Sequence, residues 1–272
     1  DLPELPESER DAKAEHLLRE EARKGFVLSR GPLIRATLLQ LEADHHLLMG
    51  TTPHIICDGW SAGIIIRELA ALYDSYSSGR PSSLPPLSIE YADFAHWQAE
   101  WLESNAFQEE LGYWKQQLQG RLPLLDLPAD KPVPSRLVSR GDTETLSLSA
   151  DVVEKIKELC KREGITMFMF FLAGFKTMLH RYTGQEDILV GSPVAGRSPE
   201  TEGVIGLFSY PISLRTDVTG NLSFRDLLHR VREVTLGALA HKDLPFGRLV
   251  EELKVEQVQG RNPLFQVYFL HQ

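Results

Sequence analysis

Residues 45–61 read HHLLMGTTPHIICDGWS, and the hydrophobic pattern changes its period within this stretch. Residues 45–52 favour a β-strand, which we expect to pair with a strand at residues 33–41 across a polar turn. After Asp58 and Gly59 the apolar residues fall on one helical face, so a helix is predicted as far as about Ser77. The stretch therefore predicts a β-hairpin that leads into a helix, with His54 at the junction.

The rest of the chain also alternates between strands and helices. Before the hairpin, Glu7–Arg23 has helical spacing. After it, the patterns predict a helix over residues 91–118, a strand at 143–148, helices at 150–163 and 166–182, strands at 187–193 and 212–216, a helix at 223–241 and a final strand at 264–270. Interleaved strands and helices indicate a mixed α/β fold.

A proline-rich stretch divides the pattern into two halves. Residues 120–141 contain Pro123, Pro128, Pro132 and Pro134, and proline can neither continue a helix nor donate a backbone hydrogen bond. We expect an N-terminal lobe at residues 1–119 that carries the histidine motif, a linker at 120–141, and a C-terminal lobe at 142–272. The final predicted strand reaches the last residues, so both lobes are expected to be incomplete pieces of a longer protein.

Composition excludes several classes of protein. The 272 residues carry 29 Lys and Arg against 38 Asp and Glu, a net charge of −9, which argues against nucleic acid or an anionic membrane as a partner. No apolar run approaches the roughly 18 residues of a membrane span, and no signal peptide begins the chain. Two cysteines, Cys57 and Cys160, are too few for a disulfide scaffold. These features predict a cytoplasmic protein.

The junction between strand and helix holds the strongest candidate for chemistry. The sheet would hold His54, and Asp58 and Gly59 would form a tight turn that exposes backbone N–H groups at the start of the helix. An imidazole in a rigid setting suits proton transfer near neutral pH. The sequence has neither a G-x-S-x-G nucleophile motif nor a phosphate-binding loop. His54 is therefore expected to act on bound partners without a covalent enzyme intermediate.

Simpler interpretations of the same residues remain open. A His–Asp spacing of four often arises by chance, and Asp58 can serve only as a helix cap. His45, His46 and His54 could suggest zinc, but neighbouring strand residues point to opposite faces and no second ligand motif supports a metal. We therefore expect no metal site. The aromatic residues between Phe94 and Trp114 are expected to belong to a core.

Five motifs in order carry a family resemblance. Around the junction, His54, Asp58 and Gly59 match an H-H-x-x-x-D-G motif, and the other four matches are YADFAHWQ at 91–98, IGLF at 205–208, HKDLPF at 241–246 and RNPLFQ at 261–266. With these motifs the chain resembles the condensation domains of nonribosomal peptide synthetases over its whole length. The resemblance departs from the family pattern at Pro53, which replaces the first histidine, and at Ser209-Tyr210-Pro211, which replaces V-N-T. The family's early R-H-E-x-L-R segment and the end of its second lobe are absent.

The resemblance implies two chloramphenicol-acetyltransferase-like lobes arranged as a V around a channel. It implies that donor and acceptor peptidyl carrier domains deliver thioesters on phosphopantetheine arms, with an adenylation domain nearby and no cofactor bound by the domain itself. The acceptor amine would attack the donor thioester to form a peptide bond in the biosynthesis of an antibiotic or another secondary metabolite.

The resemblance also assigns roles to residues. It implies that His54 is catalytic and that the Gly59 N–H contacts an oxyanion. Asp58 is implied to be structural, paired with an arginine for which Arg197 is the first candidate and Arg215 the second. Further candidates for the channel or the motif are Trp60, Ser61, Ser209 and Tyr210.

Two other functions compete with amide-bond formation. One is an acyltransferase of the same superfamily that uses acyl-coenzyme A. The other is a degenerate domain that only docks carrier proteins, which the substitutions at Pro53 and at residues 209–211 favour. The retained His54, Asp58 and Gly59 argue against this second alternative. Sequence leaves the substrates, the product and the condensation subtype undetermined.

Overall fold

The computed structural model describes residues 2–128, 141–255 and 262–271. Their helices are α1 (Glu7–Arg23), α2 (Gly59–Ser77), α3 (Tyr91–Trp101), α4 (Asn105–Gln117), α5 (Ala150–Glu163), α6 (Met167–Thr183), α7 (Phe224–Ala240) and α8 (Phe246–Leu253). Their strands are β1 (Arg35–Gln40), β2 (His46–Thr51), β3 (Asp187–Ala195) and β4 (Ser209–Asp217).

The chain forms two compact units. The first unit comprises residues 1–96 together with 197–208, and the second comprises residues 97–196 together with 209–272. The two lobes and the linker at 120–141 stay a prediction, and Pro132 and Pro134 of that linker lie outside the described residues.

The predicted hairpin is present in the first unit. Strands β1 and β2 pair antiparallel, from Arg35 opposite Thr51 to Gln40 opposite His46. Helix α1 has the predicted bounds, and a carboxylate near its end ties it to the hairpin, because Glu21 lies 2.6 Å from both Lys24 and Arg35. The side chain of Glu21 is largely buried, so Arg35 stabilises a carboxylate that would otherwise lose its hydration.

The predicted helix after the histidine junction is also confirmed, as α2. Of its predicted apolar face, Ile64 is buried, whereas Leu69 and Tyr73 are 46% and 76% exposed. The single helix predicted over residues 91–118 is wrong, because the structure has two helices there. The break lies at Ser104, whose hydroxyl accepts a hydrogen bond from the Phe107 N–H at 3.3 Å and so begins α4 as an N-cap.

The second unit is built on the β3–β4 hairpin. Its strands pair antiparallel from Asp187 opposite Asp217 to Ala195 opposite Ser209. Residues from α4 to α8 and from both strands share one apolar core, which includes Phe107, Trp114, Leu172, Leu189, Leu214, Leu228 and Leu264. The predicted helices at 150–163, 166–182 and 223–241 correspond to α5, α6 and α7, with bounds that differ by at most one residue.

Two predicted strands of the second unit are corrected. Residues 143–148 join no ladder with any described residue, and Leu146 is 87% exposed, so a strand-like pattern without a hydrogen-bonding partner stays irregular. The final strand at 264–270 is reduced to one parallel bridge, between Gly191 and Tyr268. Helix α8 was not predicted; its eight residues follow Pro245, and a helix this short leaves little periodicity to detect.

A lysine lies at the centre of the second unit. Lys176 of α6 is fully buried, and its ammonium nitrogen lies 2.6 Å from the Leu214 carbonyl oxygen and 2.6 Å from the Thr216 hydroxyl. Burial lowers the pKa of Lys176 to about 7, although the nearby Asp187 acts to raise it. The helix α6 is therefore anchored to β4 through a polar group inside an apolar core.

Candidate functional site

His54 begins a single 3-10 turn directly after β2. The turn spans His54–Ile56, and the His54 carbonyl accepts a hydrogen bond from the Cys57 N–H at 3.3 Å. The side chain of His54 is exposed within the chain, and no side chain in the described part of the protein hydrogen-bonds its ring. Both ring nitrogens are therefore available to a ligand, while the backbone of the residue is held by the turn.

The start of α2 follows the histidine turn. Asp58 is the N-cap of this helix, and its Oδ1 accepts a hydrogen bond from the Ser61 N–H at 2.7 Å. Gly59 is the first helical residue and is exposed. A Cβ added to Gly59 would have no atom within 4 Å, so the space beside its backbone is open within the chain. A helix N-terminus also carries a partial positive charge that favours a developing anion.

Asp58 is held by a buried ion pair. The Arg197 guanidinium lies 2.9 Å from Asp58 Oδ1, and the two side chains are only 6% and 4% exposed. The Phe208 N–H donates to Asp58 Oδ2 at 3.0 Å. Burial acts to raise the pKa of Asp58, but the hydrogen bonds from Ser61, Phe208 and Arg197 outweigh it and hold this pKa below its ordinary value. Asp58 is therefore an ionised anchor rather than a proton donor.

Arg197 also organises the segment of residues 197–208. Its guanidinium donates to the carbonyls of Thr201 at 2.8 Å and Val204 at 2.7 Å. The same group lies over the Phe208 ring at 4.3 Å from the centroid, within the range of a cation–π contact. One arginine thus closes this segment into a loop while it neutralises Asp58. Arg215, the second candidate partner, instead pairs with Asp187 at 2.7 Å in the other unit.

Two of the sequence motifs meet in the first unit. The hydroxyl of Tyr91 donates to the Leu207 carbonyl at 3.1 Å, and the rings of Tyr91, Phe94 and Phe208 pack with centroids 4.8–5.8 Å apart. A Cβ added to Gly206 would overlap the Tyr91 ring. The glycine and the two aromatic residues are therefore explained by close packing, as expected for a core role of the aromatics.

The remaining candidates lie in different surroundings. Trp60 is 54% exposed, and its indole N–H donates to the Glu202 carbonyl at 3.0 Å. Ser61 is fully buried. Ser209 and Tyr210 begin β4 in the second unit, opposite Ala195 and Val194, and are half-buried. Their predicted roles, like those of His54 and Gly59, stay predictions.

Sequence reasoning missed the partners of the fourth motif. The His241 ring stacks on the Tyr113 ring with centroids 3.9 Å apart, and its Nδ1 lies 3.2 Å from Glu110. Burial raises the pKa of Glu110, although His241 acts to lower it. The Trp114 indole donates to the His241 carbonyl at 2.8 Å. The motif thus fastens the end of α7 to α4, and only the clustering of aromatics on α4 hinted at this.

The fifth motif has a local structural role. The Asn262 side-chain oxygen accepts hydrogen bonds from the N–H groups of Leu264 at 3.0 Å and Phe265 at 3.2 Å. Gln266 accepts one from the Leu125 N–H at 2.8 Å. Arg261 lies outside the described residues.

Residues 2–128, 141–255 and 262–271 contain neither a metal cluster nor a membrane span. Within them no three His, Cys, Asp or Glu side chains form a group that could hold a metal ion. No helix among the same residues has both the length and the apolarity to cross a membrane.

Comparison with known proteins agrees with this architecture. The family model described as the Condensation domain matches residues 1–272. A linear gramicidin synthase of Brevibacillus parabrevis is 45% identical over 273 residues, which is 100% of this chain and 4% of the synthase. The phosphinothricin tripeptide synthetase PhsC of Streptomyces viridochromogenes is 42% identical over 271 residues, which is 99% of this chain and 25% of the synthetase. The chain thus spans a small part of each of these relatives.

Solved structures show the same fold. The X-domain in its complex with OxyB from teicoplanin biosynthesis superposes with a TM-score of 0.90 and 27% identity, over 94% of this chain and 58% of that one. The first condensation domain of the calcium-dependent antibiotic synthetase has a TM-score of 0.70 and 22% identity, over 95% of this chain and 57% of that one. The predicted chloramphenicol-acetyltransferase-like α/β fold class is confirmed. This chain belongs to the condensation-domain family of nonribosomal peptide synthetases, which are amide-bond-forming acyltransferases.

Proposed function

We propose that this chain contributes the catalytic histidine for amide-bond formation between two carrier-bound thioesters, and that His54 is this residue. Donor and acceptor peptidyl carrier domains would present their substrates on phosphopantetheine arms, and an adenylation domain would supply the activated amino acid. The observation that carries the proposal is the contrast between His54 and Asp58. An exposed imidazole without a described side-chain partner lies four residues before a buried, ion-paired carboxylate.

The arrangement suits attack of an amine on a thioester. The acceptor nitrogen would form a bond to the donor carbonyl carbon, the C–S bond would break, and the donor arm would leave as a thiol. His54 would hydrogen-bond the attacking amine and take its proton, which then passes to the leaving sulfur. The Gly59 N–H would stabilise the oxyanion of the tetrahedral intermediate. Holding two tethered reactants at near-attack distance would supply much of the remaining acceleration.

A second candidate function is protein docking without catalysis. It is supported by the high structural similarity to an X-domain whose structure was solved in complex with OxyB, and by Pro53 at the position of the first motif histidine. Use of acyl-coenzyme A instead of a carrier-bound donor is a third possibility, which the assay must separate from the other two. The exposed His54 and the intact Asp58–Arg197 pair favour catalysis over docking alone.

The test is dipeptide formation by the full-length protein that contains this chain, with both carriers loaded and the product detected by mass spectrometry. We expect His54→Ala to lower the rate of product formation at least about a hundredfold, which is the usual contribution of a general base. His46→Ala is the matched control, because His46 is also exposed and lies at the start of β2. It should leave the rate unchanged.

Three results would contradict the proposal. An undiminished rate in His54→Ala would remove the histidine from the mechanism. Product from acyl-coenzyme A but not from a loaded donor carrier would favour the alternative acyltransferase. Carrier binding by a wild-type protein that forms no amide bond would favour docking.

A further inference from the structure

The side-chain hydroxyl of Ser61 is a buried junction between α2 and residues 197–208. It donates a hydrogen bond to the Gly206 carbonyl at 2.7 Å and accepts one from the Gly206 N–H at 3.0 Å. It also accepts a hydrogen bond from the Arg197 guanidinium at 2.7 Å. A serine hydroxyl has one hydrogen to donate and two lone pairs, so all of its hydrogen-bonding capacity is used.

We propose that Ser61 is a positioning residue for the catalytic turn, and that its hydroxyl sets the rate of the reaction through Asp58 and Arg197 without touching the substrate. This inference rests on the proposed function of His54. The fully buried location of Ser61 leaves no surface for a substrate to contact within its unit. Its effect must therefore pass through the groups that it holds.

The contact with Gly206 connects Ser61 to a donor of the anchoring carboxylate. Because the hydroxyl binds both the N–H and the carbonyl of Gly206, it fixes the position and the orientation of that residue's backbone. Gly206 lies two residues before Phe208, whose N–H binds Asp58 at 3.0 Å. A shift of Gly206 would therefore move a hydrogen-bond donor of Asp58.

Ser61 also contacts both members of the buried ion pair. Its backbone N–H donates to Asp58 Oδ1, and its hydroxyl accepts from Arg197, which donates to the same Oδ1 at 2.9 Å. Loss of the hydroxyl would leave the Gly206 N–H and carbonyl without this partner in a buried place, where unpaired polar groups are costly. The ion pair and the backbone of Gly206 therefore depend on the same hydroxyl.

Asp58 in turn is connected to the reacting groups by a short stretch of backbone. It directly precedes Gly59 and follows the turn that holds His54, in which the Cys57 N–H donates to the His54 carbonyl at 3.3 Å. The backbone between these residues contains no flexible insertion. A displacement of Asp58 by a fraction of an ångström is therefore expected to move the His54 ring and the Gly59 N–H relative to a bound substrate.

Ser75 provides a matched control on the same helix. It is also buried, at 3% exposure, and its hydroxyl donates to the hydroxyl of Ser83 at 3.2 Å. Ser75→Ala removes a buried hydroxyl from α2, as Ser61→Ala does, but the lost contact does not reach the ion pair. Comparison of the two variants separates loss of a buried hydrogen bond from loss of positioning.

The experiment uses the full-length protein with loaded donor and acceptor carriers, well below the melting temperature of each variant. We expect Ser61→Ala to lower kcat by about ten- to a hundredfold, the effect of a small misplacement of reacting groups, while KM for both carriers stays unchanged. Backbone hydrogen exchange should become faster across residues 197–208. Ser75→Ala should keep kcat within about twofold and leave exchange in that segment unchanged. Ser61→Cys, which keeps the size but hydrogen-bonds weakly, should lie between wild type and Ser61→Ala, and it replaces Ser61→Ala if that variant does not fold.

The outcomes separate the two proposals. Faster exchange in residues 197–208 with an unchanged kcat would show a purely structural hydroxyl and overturn the positioning role. Unchanged exchange in that segment would overturn it as well. A wild-type protein that forms no amide bond would refute the proposed function. In that case the exchange comparison between Ser61→Ala and Ser75→Ala still decides whether Ser61 holds the segment.

Discussion

At the scale of single residues, Gly59 combines a helical backbone with open space at its side. Its backbone does not adopt a left-handed conformation, and an added Cβ would meet no atom within 4 Å. Neither backbone strain nor packing inside the chain therefore requires glycine at this position. The close approach of a substrate carbonyl to the Gly59 N–H would require it, because any side chain would then occupy the space of the ligand.

We therefore predict that Gly59→Ala folds normally and loses most of its activity, about a hundredfold in kcat, the usual cost of removing one oxyanion contact. Gly63→Ala is the control, since Gly63 lies one turn further along α2 and also has no atom within 4 Å of an added Cβ. It should gain about 0.5–1 kcal/mol of stability with activity unchanged. Thermal unfolding and the carrier-based assay measure both effects. Full activity in Gly59→Ala would remove the oxyanion contact from the mechanism.

At the scale of elements, the segment of residues 197–208 and the start of α3 are joined by an aromatic contact. Gly206 lies against the Tyr91 ring so closely that an added Cβ would overlap it. The ring cannot move aside easily, because its hydroxyl bonds the Leu207 carbonyl and its face packs on Phe94 and Phe208. The glycine of this motif is thus required by packing and not by chemistry.

We expect Gly206→Ala to destabilise the first unit by about 1–3 kcal/mol, the usual cost of overpacking. Gly203→Ala should cost far less, because its Cβ would make only an ordinary contact, 3.7 Å from Leu87. In a Tyr91→Ala background the cost of Gly206→Ala should nearly vanish, since the overlapping ring is gone. Urea unfolding of the four variants measures this coupling, and simple additivity would show that the ring is not the obstacle.

At the scale of the whole molecule, each unit has its own stabilising polar centre. In the first unit it is the Asp58–Arg197 pair, and in the second it is Lys176 between α6 and the β3–β4 hairpin. The pKa of Lys176 is about 7 in the folded protein and about 10.4 in an unfolded chain. Between these values the unfolded chain binds a proton that the folded chain does not, so stability rises with pH.

The prediction is that Lys176→Met removes this dependence. The free energy of unfolding of wild type, relative to Lys176→Met, should rise between pH 7 and pH 9 by at most about 1.4 kcal/mol per pH unit. Urea titrations followed by tryptophan fluorescence report on the second unit, because it contains Trp97, Trp101 and Trp114. Parallel pH profiles for the two proteins would show that Lys176 keeps its proton when folded.

Local patterns of sequence were sufficient for most elements and for the candidate residues. Helices α1 and α5 were predicted to the residue, because their spacing and flanking turns are local signals. The strand expected at residues 143–148 was wrong for the converse reason, since alternation cannot show whether a hydrogen-bonding partner exists. The same limit explains the final strand, of which a single bridge beside Gly191 remains.

The sequence by itself determined the family, the alternation of strands and helices, and the choice of His54, Asp58 and Gly59, because these are properties of short ordered motifs. Only the tertiary structure decided which arginine neutralises Asp58, why Gly206 must be glycine, and where the Ser61 hydroxyl finds its three partners. Those contacts join residues more than 100 positions apart. Hydrogen bonds and ring packing act over a few ångströms in space, and no period or spacing in the chain encodes which distant residues meet.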